Sequence, residues 1–314
     1  MKNNINTDYD LIIIGAGPGG FTSAIYACRA ELKVLLINEG PPGGKMVKTY
    51  DIENYPGFDK ILGPDLSLAM DGQVRKLGAE YEATKVMNIE IATDGNNKII
   101  TGENGKIWLT KAVIIATGTV ENELLVDGAK RLYGHGVSYC AVCDGAFFRN
   151  KGIVVVGGGD SAIEEAVYLT KFARKLYLVH RRNEFRASKG ALTIAQNNNK
   201  IEWLLNYVVK EVIGKNSLEQ VVIEHTATKE QQVIDASAIF PYIGSTPISN
   251  FVKDLKICDE NGYIITNEIM HTSVLGIFAI GDVRQTVLRQ IATAVGDGAI
   301  AAQEAIKYLD QLKL

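Results

Sequence analysis

The chain has 314 residues, of which 46% are hydrophobic and 22% are charged, and these proportions exclude a disordered or a fibrous protein. Its net charge of −3 gives no general reason to expect nucleic acid or an anionic membrane as a partner. The apolar run Leu11–Ile14 is too short for the core of a signal peptide or for a membrane span. We therefore expect a cytoplasmic globular protein that is long enough for two domains.

A glycine-rich loop between a predicted strand and a predicted helix stands near the start of the chain. The segments, in chain order, are the strand Asp10–Gly15, the loop Gly15–Gly20, the helix Phe21–Ala30 and a second strand, Val34–Asn38. In such a βαβ unit Gly15 makes the tight turn, Gly17 lets a pyrophosphate approach the backbone, and Gly20 allows close contact between helix and strand. The N–H groups at the helix N-terminus then face the phosphates, so the segment predicts a dinucleotide site.

The same order of elements recurs in the second half of the chain. Its segments are the strand Gly152–Gly157, the loop Gly157–Ala162, the helix Ala162–Phe172 and the strand Leu176–His180. The pattern here is Gly157, Gly159 and Ala162, and alanine is allowed at the third position. A glycine motif alone would be weak evidence, but each copy is embedded in a strand–loop–helix–strand order. The sequence therefore predicts two dinucleotide sites.

The end of the second strand in each unit indicates which nucleotide binds. Position 24 after the first glycine is Glu39 in the first unit and Arg181 in the second. A carboxylate there accepts hydrogen bonds from ribose hydroxyls, whereas cations accommodate a 2′-phosphate. Arg181, reinforced by Arg182 and Arg186, thus predicts NADP(H), although a solvated basic turn is the alternative. Glu39 fits either FAD or NAD, and sequence chemistry does not separate these two.

A pair of cysteines, Cys140 and Cys143, lies just ahead of the second glycine loop and is followed by Asp144. The two-residue spacer lets the sulfurs reach bonding distance, and in a reducing compartment such a pair is catalytic or metal-binding. Zinc would need two further ligands, and His135 is the only nearby candidate, so no metal is expected. The other cysteines, Cys28 and Cys258, are interpreted as small buried apolar residues.

Together these motifs make the chain resemble the low-molecular-weight bacterial thioredoxin reductases, and the similarity runs nearly end to end. It rests on the segments Gly15–Gly20, Glu53–Gly57, Ala116–Thr119, Cys140–Gly145, Gly157–Ala166, His180–Ala187, Gly281–Val283, Arg289–Ile291 and Gly296–Gly298. The cysteine segment is the most discriminating, because flavoprotein relatives carry their disulfides elsewhere or lack them. The resemblance implies FAD in the first site and a homodimer. NADPH in the second site is expected from the arginines, and no nucleic acid or membrane is expected as a partner.

The implied fold is of the α/β class, with two Rossmann-like domains, one inserted into the other. The strands Ala112–Ala116 and Ile239–Ile243 each run into a short turn, and these turns are expected to be the domain crossings. We expect an FAD-binding domain formed by residues 1–118 and 246–314, and an NADPH-binding domain at 119–245 that carries the cysteine pair.

The resemblance also implies the cofactor contacts. Those for FAD are Gly15, Gly17, Pro18, Gly19, Gly20, Glu39, Gly43, Gly44, Asn54, Ala116, Thr117, Gly118, Gly281, Asp282, Arg289, Gln290 and Ile291. Those for NADPH are Gly157, Gly159, Asp160, Ser161, Ala162, His180, Arg181, Arg182, Arg186, Ile243 and Gly244. Asp282 is expected to bind the ribityl chain, and the helix that starts near Arg289 is expected to point at the pyrimidine edge of the flavin. By itself, the segment around Asp282 would be interpreted as a surface loop.

The implied reaction passes electrons from NADPH to FAD, then to the Cys140–Cys143 disulfide, and then to oxidised thioredoxin. Cys143 is expected near the flavin, Cys140 attacks the partner, and Asp144 protonates a thiolate, although a turn role for Asp144 is the alternative. Because nicotinamide and disulfide cannot share one face of the flavin, the NADPH domain is expected to rotate about crossings near Gly118 and Gly244.

Two departures from the family pattern and three alternatives stand beside this interpretation. Ala146 stands where several relatives carry an aromatic residue, in the segment that helps to receive thioredoxin in the family, so partner choice is where a difference is expected. Lys45 stands where relatives often have glutamine. The sequence gives Lys45 no functional meaning. The nearest alternative is a flavoprotein disulfide reductase for another partner, such as a peroxidase-reducing component. A ferredoxin–NADP reductase, which would lack the cysteine pair, and a flavin and NADPH redox sensor without turnover are the others.

Overall fold

The computed structural model describes residues 9–49 and 51–313, apart from the side chains at positions 51, 142 and 143. The chain forms two compact units. The flanking unit runs up to Val120 and resumes at Thr246, and the inserted unit is Glu121–Ser245. The chain passes between the units within two short strands, Thr119–Glu121 and Ser245–Pro247. The expected crossings were after residues 118 and 245.

Strands and helices alternate along the chain. The strands are Tyr9–Ile14 (β1), Val34–Asn38 (β2), Asp51–Ile52 (β3), Ile61–Leu62 (β4), Glu80–Ala83 (β5), Val86–Ile91 (β6), Lys98–Gly102 (β7), Ile107–Ile115 (β8), Thr119–Glu121 (β9), Gly152–Gly157 (β10), Lys175–His180 (β11), Ile201–Leu205 (β12), Tyr207–Ile213 (β13), Gln220–His225 (β14), Gln231–Asp235 (β15), Ala238–Tyr242 (β16), Ser245–Pro247 (β17) and Ile277–Ala279 (β18). The α-helices are Pro18–Arg29 (α1), Gly63–Lys76 (α2), Ala141–Asp144 (α3), Asp160–Leu169 (α4), Lys189–Gln196 (α5) and Ile291–Gln311 (α6).

The flanking unit is built on a mixed sheet in the order β5-β2-β1-β8-β7-β6, with β18 also paired to β8. The strands β5, β2, β1, β8 and β18 are parallel, while β6, β7 and the start of β8 form an antiparallel meander. Alternate residues of β1 serve two cores. Leu11 and Ile13 face one core with helices α1, α2 and α6, while Ile12 and Ile14 face the other core with the meander. Burial on both faces explains the continuous apolar run in β1.

The inserted unit repeats this design around the parallel sheet β12-β11-β10-β16. Ile153 and Val155 of β10 pack in a core with helices α4 and α5. Val154 and Val156 pack in a second core with the antiparallel sheet β13-β14-β15. The predicted α/β class, with two Rossmann-like βαβ units, is therefore confirmed.

The helices that follow the two glycine loops begin earlier than the sequence pattern predicted. Helix α1 starts at Pro18 rather than Phe21, because the fixed φ of proline suits the first helical turn. Helix α4 starts at Asp160 and ends at Leu169, before the predicted Phe172. None of the helices within the described ranges is long and apolar enough to cross a membrane.

A buried lysine ties helix α6 to the sheet of the flanking unit. The Lys98 side chain has no exposed surface, and its Nζ donates to Asn96 O at 2.7 Å, Lys111 O at 2.9 Å and the Tyr308 hydroxyl at 3.1 Å. Burial lowers the pKa of Lys98 to about 8, and the nearby Asp94 opposes this only in part. Three acceptors thus satisfy the three protons of the ammonium group, which is what allows a charge to be retained there.

Lys98→Met should destabilise the protein at pH 7, because it leaves three acceptors without a donor. The stability difference between wild type and variant should grow by on the order of 2 kcal/mol between pH 8 and 10. The folded lysine titrates near 8, whereas the unfolded one holds its proton to about 10.4, so wild-type stability rises with pH in this window. Urea unfolding of both proteins at these two pH values measures the change, and a constant difference would contradict the assignment.

Candidate functional site

The first glycine loop is shaped by backbone groups in contact. Gly15 has φ of +109°, and a Cβ atom there would lie 2.3 Å from the carbonyl oxygen of Ala116. A Cβ on Gly20 would lie 1.9 Å from the carbonyl oxygen of Gly15. A Cβ on Gly17 would meet nothing within 4 Å, so the backbone at the N-terminus of helix α1 is open to a ligand. The loop therefore has the form that a pyrophosphate requires.

A cavity of about 410 Å³ opens from this loop along the carboxyl ends of β1, β2, β5 and β8. Glu39, which is predicted to bind a ribose, lies in its wall. The other residues that line it are Ile14, Gly15, Ile37, Asn38, Thr84, Lys85, Val86, Met87, Thr117, Ile248, Ser249, Asn250 and Phe251. Most of these were missed from sequence, since only the order of the parallel strands shows which loops share one crevice.

Asn38 is the clearest of the missed residues. Its side-chain oxygen accepts a hydrogen bond from Ala16 N at 2.9 Å, inside the glycine loop, and its Nδ2 donates to Gly40 O at 3.0 Å. Asn38 therefore holds the loop after β1 against the loop after β2. Its place one residue before the ribose-binding position was the available signal.

Two further groups of residues predicted to bind FAD lie at the turn Gly43–Gly44 and at the start of helix α6. Gly43 N donates to Ala16 O at 2.7 Å, and a Cβ on Gly44 would lie 3.4 Å from Gly17 Cα. Asn54 Nδ2 donates to Gln290 Oε1 at 3.1 Å. These contacts place the turn at Gly43–Gly44 against the first glycine loop and Asn54 against the start of helix α6.

Helix α6 begins at the second of these groups of residues. Gln290 caps it, and the Gln290 N–H donates to Thr293 Oγ1 at 3.1 Å in a capping box. Arg289 lies over the Tyr263 ring at 4.4 Å and its Nε donates to Asp282 O at 3.4 Å. The N–H of Gly281 donates to Asp297 Oδ2 at 3.0 Å. These contacts tie the segment to the start of helix α6, and its predicted role in binding FAD stays a prediction.

The second glycine loop follows the same rule within the inserted unit. Gly157 has φ of +149°, and a Cβ there would lie 2.4 Å from Tyr242 O and 2.8 Å from Ala162 Cβ. A Cβ on Gly159 would meet nothing within 4 Å. The end of β16 therefore lies against the loop, and it leads directly to Ile243 and Gly244, the predicted NADPH contacts there.

The arginine-bearing loop is held against this glycine loop by backbone and ring contacts. A Cβ on Gly158 would lie 2.2 Å from Cε1 of the His180 ring. This ring stacks on the Phe185 ring with 4.8 Å between the ring centroids. Phe185 packs edge-on against Trp203 at 5.3 Å. Arg186 N donates to Gly158 O at 2.8 Å. The aromatic residues Phe185 and Trp203 were missed from sequence, because nothing there shows that they pack on His180.

Within the same loops, Asp160 and Ser161 begin helix α4. Asp160 Oδ1 accepts a hydrogen bond from Ser188 N at 2.7 Å, which closes the far end of the arginine loop. Arg181 and Arg182 are exposed. The three arginines are therefore carried by a fixed loop beside the open backbone of Gly159, as a site for a second phosphate would require.

The cysteine pair lies in the inserted unit, and Cys140 is disulfide-bonded. The side chain of Cys143 lies outside the described residues. Ser138, which was missed from sequence, is 5% exposed and its Oγ donates to Asp144 Oδ2 at 2.6 Å. Ser138 Oγ also accepts a hydrogen bond from Cys140 N at 3.1 Å, and Asp144 N donates to Cys140 O at 3.1 Å. Ser138 thus joins the carboxylate of Asp144 to the backbone of the disulfide turn.

Two further features surround this turn. Phe147 is 74% exposed, whereas Phe148 packs edge-on against Phe240 at 6.1 Å. The remaining cysteines, Cys28 and Cys258, are free, and each packs against a hydrophobic core, but they are only partly buried rather than buried as expected. Partial burial still raises the pKa of both thiols, which keeps them protonated and poorly nucleophilic.

Two dinucleotide-type units, one of which carries a Cys-x-x-Cys turn, define a class of flavin- and pyridine nucleotide-dependent oxidoreductases. The profile of the pyridine nucleotide-disulphide oxidoreductases matches residues 9–298, and the chain belongs to this family. The thioredoxin reductases of Bacillus subtilis and Listeria innocua are 48% and 46% identical over 306 residues, which is 97% of this chain and 96% and 95% of those proteins.

Solved structures agree with this assignment. The crystal structure of Lactococcus lactis thioredoxin reductase is similar, with a TM-score of 0.93 and 46% identity, and the match covers 97% of this chain and 100% of that one. The thioredoxin reductase of T. acidophilum gives a TM-score of 0.90 at 31% identity over 98% of this chain and 100% of that one. The resemblance identified from the motifs is therefore confirmed.

A matched pair of substitutions separates the structural from the ligand-binding role of the first loop. Gly20→Ala should destabilise the flanking unit by about 2 kcal/mol or more, because its Cβ would overlap a backbone oxygen. Gly17→Ala should leave the unfolding midpoint of the ligand-free protein almost unchanged but weaken flavin binding at least tenfold. Thermal unfolding of the apoprotein and fluorescence titration with FAD measure the two effects. Equal losses of stability in both variants would contradict the separation.

Proposed function

We propose that this protein is an NADPH-dependent thioredoxin-disulfide reductase with bound FAD. The observation that carries the proposal is the Ser138–Asp144–Cys140 arrangement, a disulfide turn with a fixed carboxylate, in the same unit as a glycine loop with three arginines. The relatives named above are thioredoxin reductases, and the chain is similar to them over nearly its whole length. We propose the residue roles below on that basis.

In the flanking unit, the chain would hold FAD along the cavity at the strand ends. The N–H groups at the start of helix α1 would bind the pyrophosphate, Glu39 the adenosine ribose, and Asp282 the ribityl chain. The start of helix α6 at Gln290 would direct its positive end toward the flavin. When bound, FAD supplies two-electron chemistry that links a nicotinamide to a disulfide.

In the inserted unit, the chain would bind NADPH. The open backbone at Gly159 would receive the pyrophosphate, and the exposed Arg181 and Arg182 would grip the 2′-phosphate with Arg186. The stack of His180 on Phe185 fixes this loop before the ligand arrives, so little ordering entropy is lost on binding. Arginine is suited to this role because its planar group forms paired hydrogen bonds with phosphate.

At the disulfide turn, Cys143 would accept electrons from the flavin and Cys140 would attack the disulfide of the partner. Asp144 would hold and transfer the proton that a thiolate needs to leave as a thiol. A hydroxyl has one proton, and the 2.6 Å contact of Ser138 Oγ with Asp144 shows where that proton goes. Ser138 is therefore a positioning residue that fixes one carboxylate oxygen and leaves the other for proton transfer.

The proposed partner is a thioredoxin, and the exposed Phe147 beside the disulfide turn offers an apolar contact for it.

We also propose a homodimer, as the family resemblance implies, and rotation of the inserted unit about the crossings near Gly118 and Gly244 between the half-reactions. A cytoplasmic setting suits the reaction, because thiols are kept reduced there and a close cysteine pair serves catalysis.

A coupled assay with purified protein, NADPH, a thioredoxin and a chromogenic disulfide tests the function directly. Wild type should oxidise NADPH only when thioredoxin is present. Cys140→Ser and Cys143→Ser should abolish disulfide reduction but leave reduction of the flavin by NADPH, followed by its absorbance, intact.

Ser138→Ala serves as the internal comparison, since it keeps both cysteines. It should slow disulfide reduction about tenfold, which corresponds to about 1.4 kcal/mol of barrier, and should not change the rate of flavin reduction. Full activity in a Cys143→Ser variant would remove the proposal.

The arginine loop should set the preference for NADPH over NADH. Replacing Arg181 and Arg182 by alanine should raise the KM for NADPH at least tenfold, with little change for NADH, because only NADPH carries the 2′-phosphate. Phe185→Leu should raise the same KM several-fold without changing kcat, since it removes the ring that fixes the loop. Arg174→Ala is the matched control, an exposed arginine outside the loop. Equal effects on both nucleotides would refute the assignment.

A further inference from the structure

Lys45 places an ammonium group among the segments that we assign to the flavin. It follows Gly43 and Gly44 in the short 3₁₀ turn Gly44–Lys48. Its Nζ donates to Thr119 Oγ1 at 2.6 Å and lies 3.8 Å from Asp282 Oδ2. Three parts of the proposed flavin site therefore meet at one cation.

The ammonium group is fixed in this position. Thr119, which accepts its hydrogen bond, is 6% exposed, and the Asp282 side chain is 23% exposed. The Lys45 side chain is 44% exposed, so it remains partly in contact with solvent. An ion pair with one partner largely shielded from water retains more of its electrostatic effect than a fully exposed pair.

The charge matters because of what happens to a flavin on reduction. A hydride donor delivers two electrons and one proton, so the neutral oxidised ring gains one negative charge, which gathers on its pyrimidine side. Charges that the protein holds nearby shift the equilibrium between the two forms. The carboxylate of Asp282 alone would oppose the added charge, whereas a cation beside it offsets that opposition.

We propose that Lys45 raises the reduction potential of the flavin by neutralising Asp282 and stabilising the anionic reduced form. This inference rests on the proposed function, since it requires FAD in the flanking unit. Through its charge, Lys45 then sets how favourable electron transfer from NADPH to the flavin is relative to transfer from the flavin to the disulfide. A higher potential favours uptake of electrons from NADPH and makes their transfer to the disulfide less favourable.

The test measures the potential, and it does not depend on turnover. Wild type and variants, each saturated with FAD, are reduced without oxygen in the presence of a reference dye. The absorbances of the flavin and of the dye then give the redox equilibrium between them. Lys45→Gln and Lys45→Met should each shift this equilibrium about tenfold toward oxidised flavin, which is about 30 mV for a two-electron couple. Lys45→Arg keeps the charge and should stay within about twofold of wild type. Lys48→Gln, an exposed lysine of the same turn, is the matched control and should show no shift.

Three results would overturn the inference. They are an unchanged equilibrium in the glutamine and methionine variants, a shift in Lys45→Arg as large as in Lys45→Gln, and a loss of FAD affinity in the neutral variants with no change in potential. The dissociation constant for oxidised FAD, from fluorescence titration, identifies the last of these. Failure of the wild-type protein to bind FAD would instead refute the proposed function, and it would be seen before any variant is made.

Discussion

The structure depends on the close approach of backbone to backbone at the carboxyl end of one central strand in each unit. In the flanking unit Gly15 and Gly20 approach within a distance that no Cβ would tolerate, and Ala116 closes on the same point. In the inserted unit Gly157 meets the carbonyl oxygen of Tyr242. Because strand, helix and neighbouring strand converge there, the free N–H groups of the helix and the loops of several strands open toward one crevice.

The inserted unit uses the same sheet to support three separate pieces of chemistry. Strand β10 leads into the glycine loop, and β11 ends at His180, which begins the arginine loop. The disulfide turn is attached to β16, since Ser138 N donates to Ile239 O at 3.1 Å and Ile239 N donates to Gly136 O at 2.8 Å. One sheet therefore carries both the disulfide turn and the proposed nicotinamide nucleotide site.

The sequence predicted the parts of the molecule whose physics is local. The two buried strands and glycine loops were visible because hydrophobic runs and glycine spacing are short-range patterns. What depends on long-range packing could not be predicted. The antiparallel strands β13 to β15, the cavity-lining residues 84–87 and the ring pair Phe185 and Trp203 come together only once the sheet is folded. Ser138 was missed for the same reason, since serine is common and its contact with Asp144 needs the turn.

Since the two units share one architecture, the direction of electron flow must come from their side chains. Glu39 and Arg181 occupy the same position in the two βαβ repeats, yet one suits a ribose and the other a 2′-phosphate. A similar difference operates at finer scale around the proposed flavin site, where the ammonium group of Lys45, in the turn Gly44–Lys48, lies 3.8 Å from the Asp282 carboxylate. The fold therefore provides two similar glycine loops, and the charged residues beside them, not the backbone, distinguish one loop from the other.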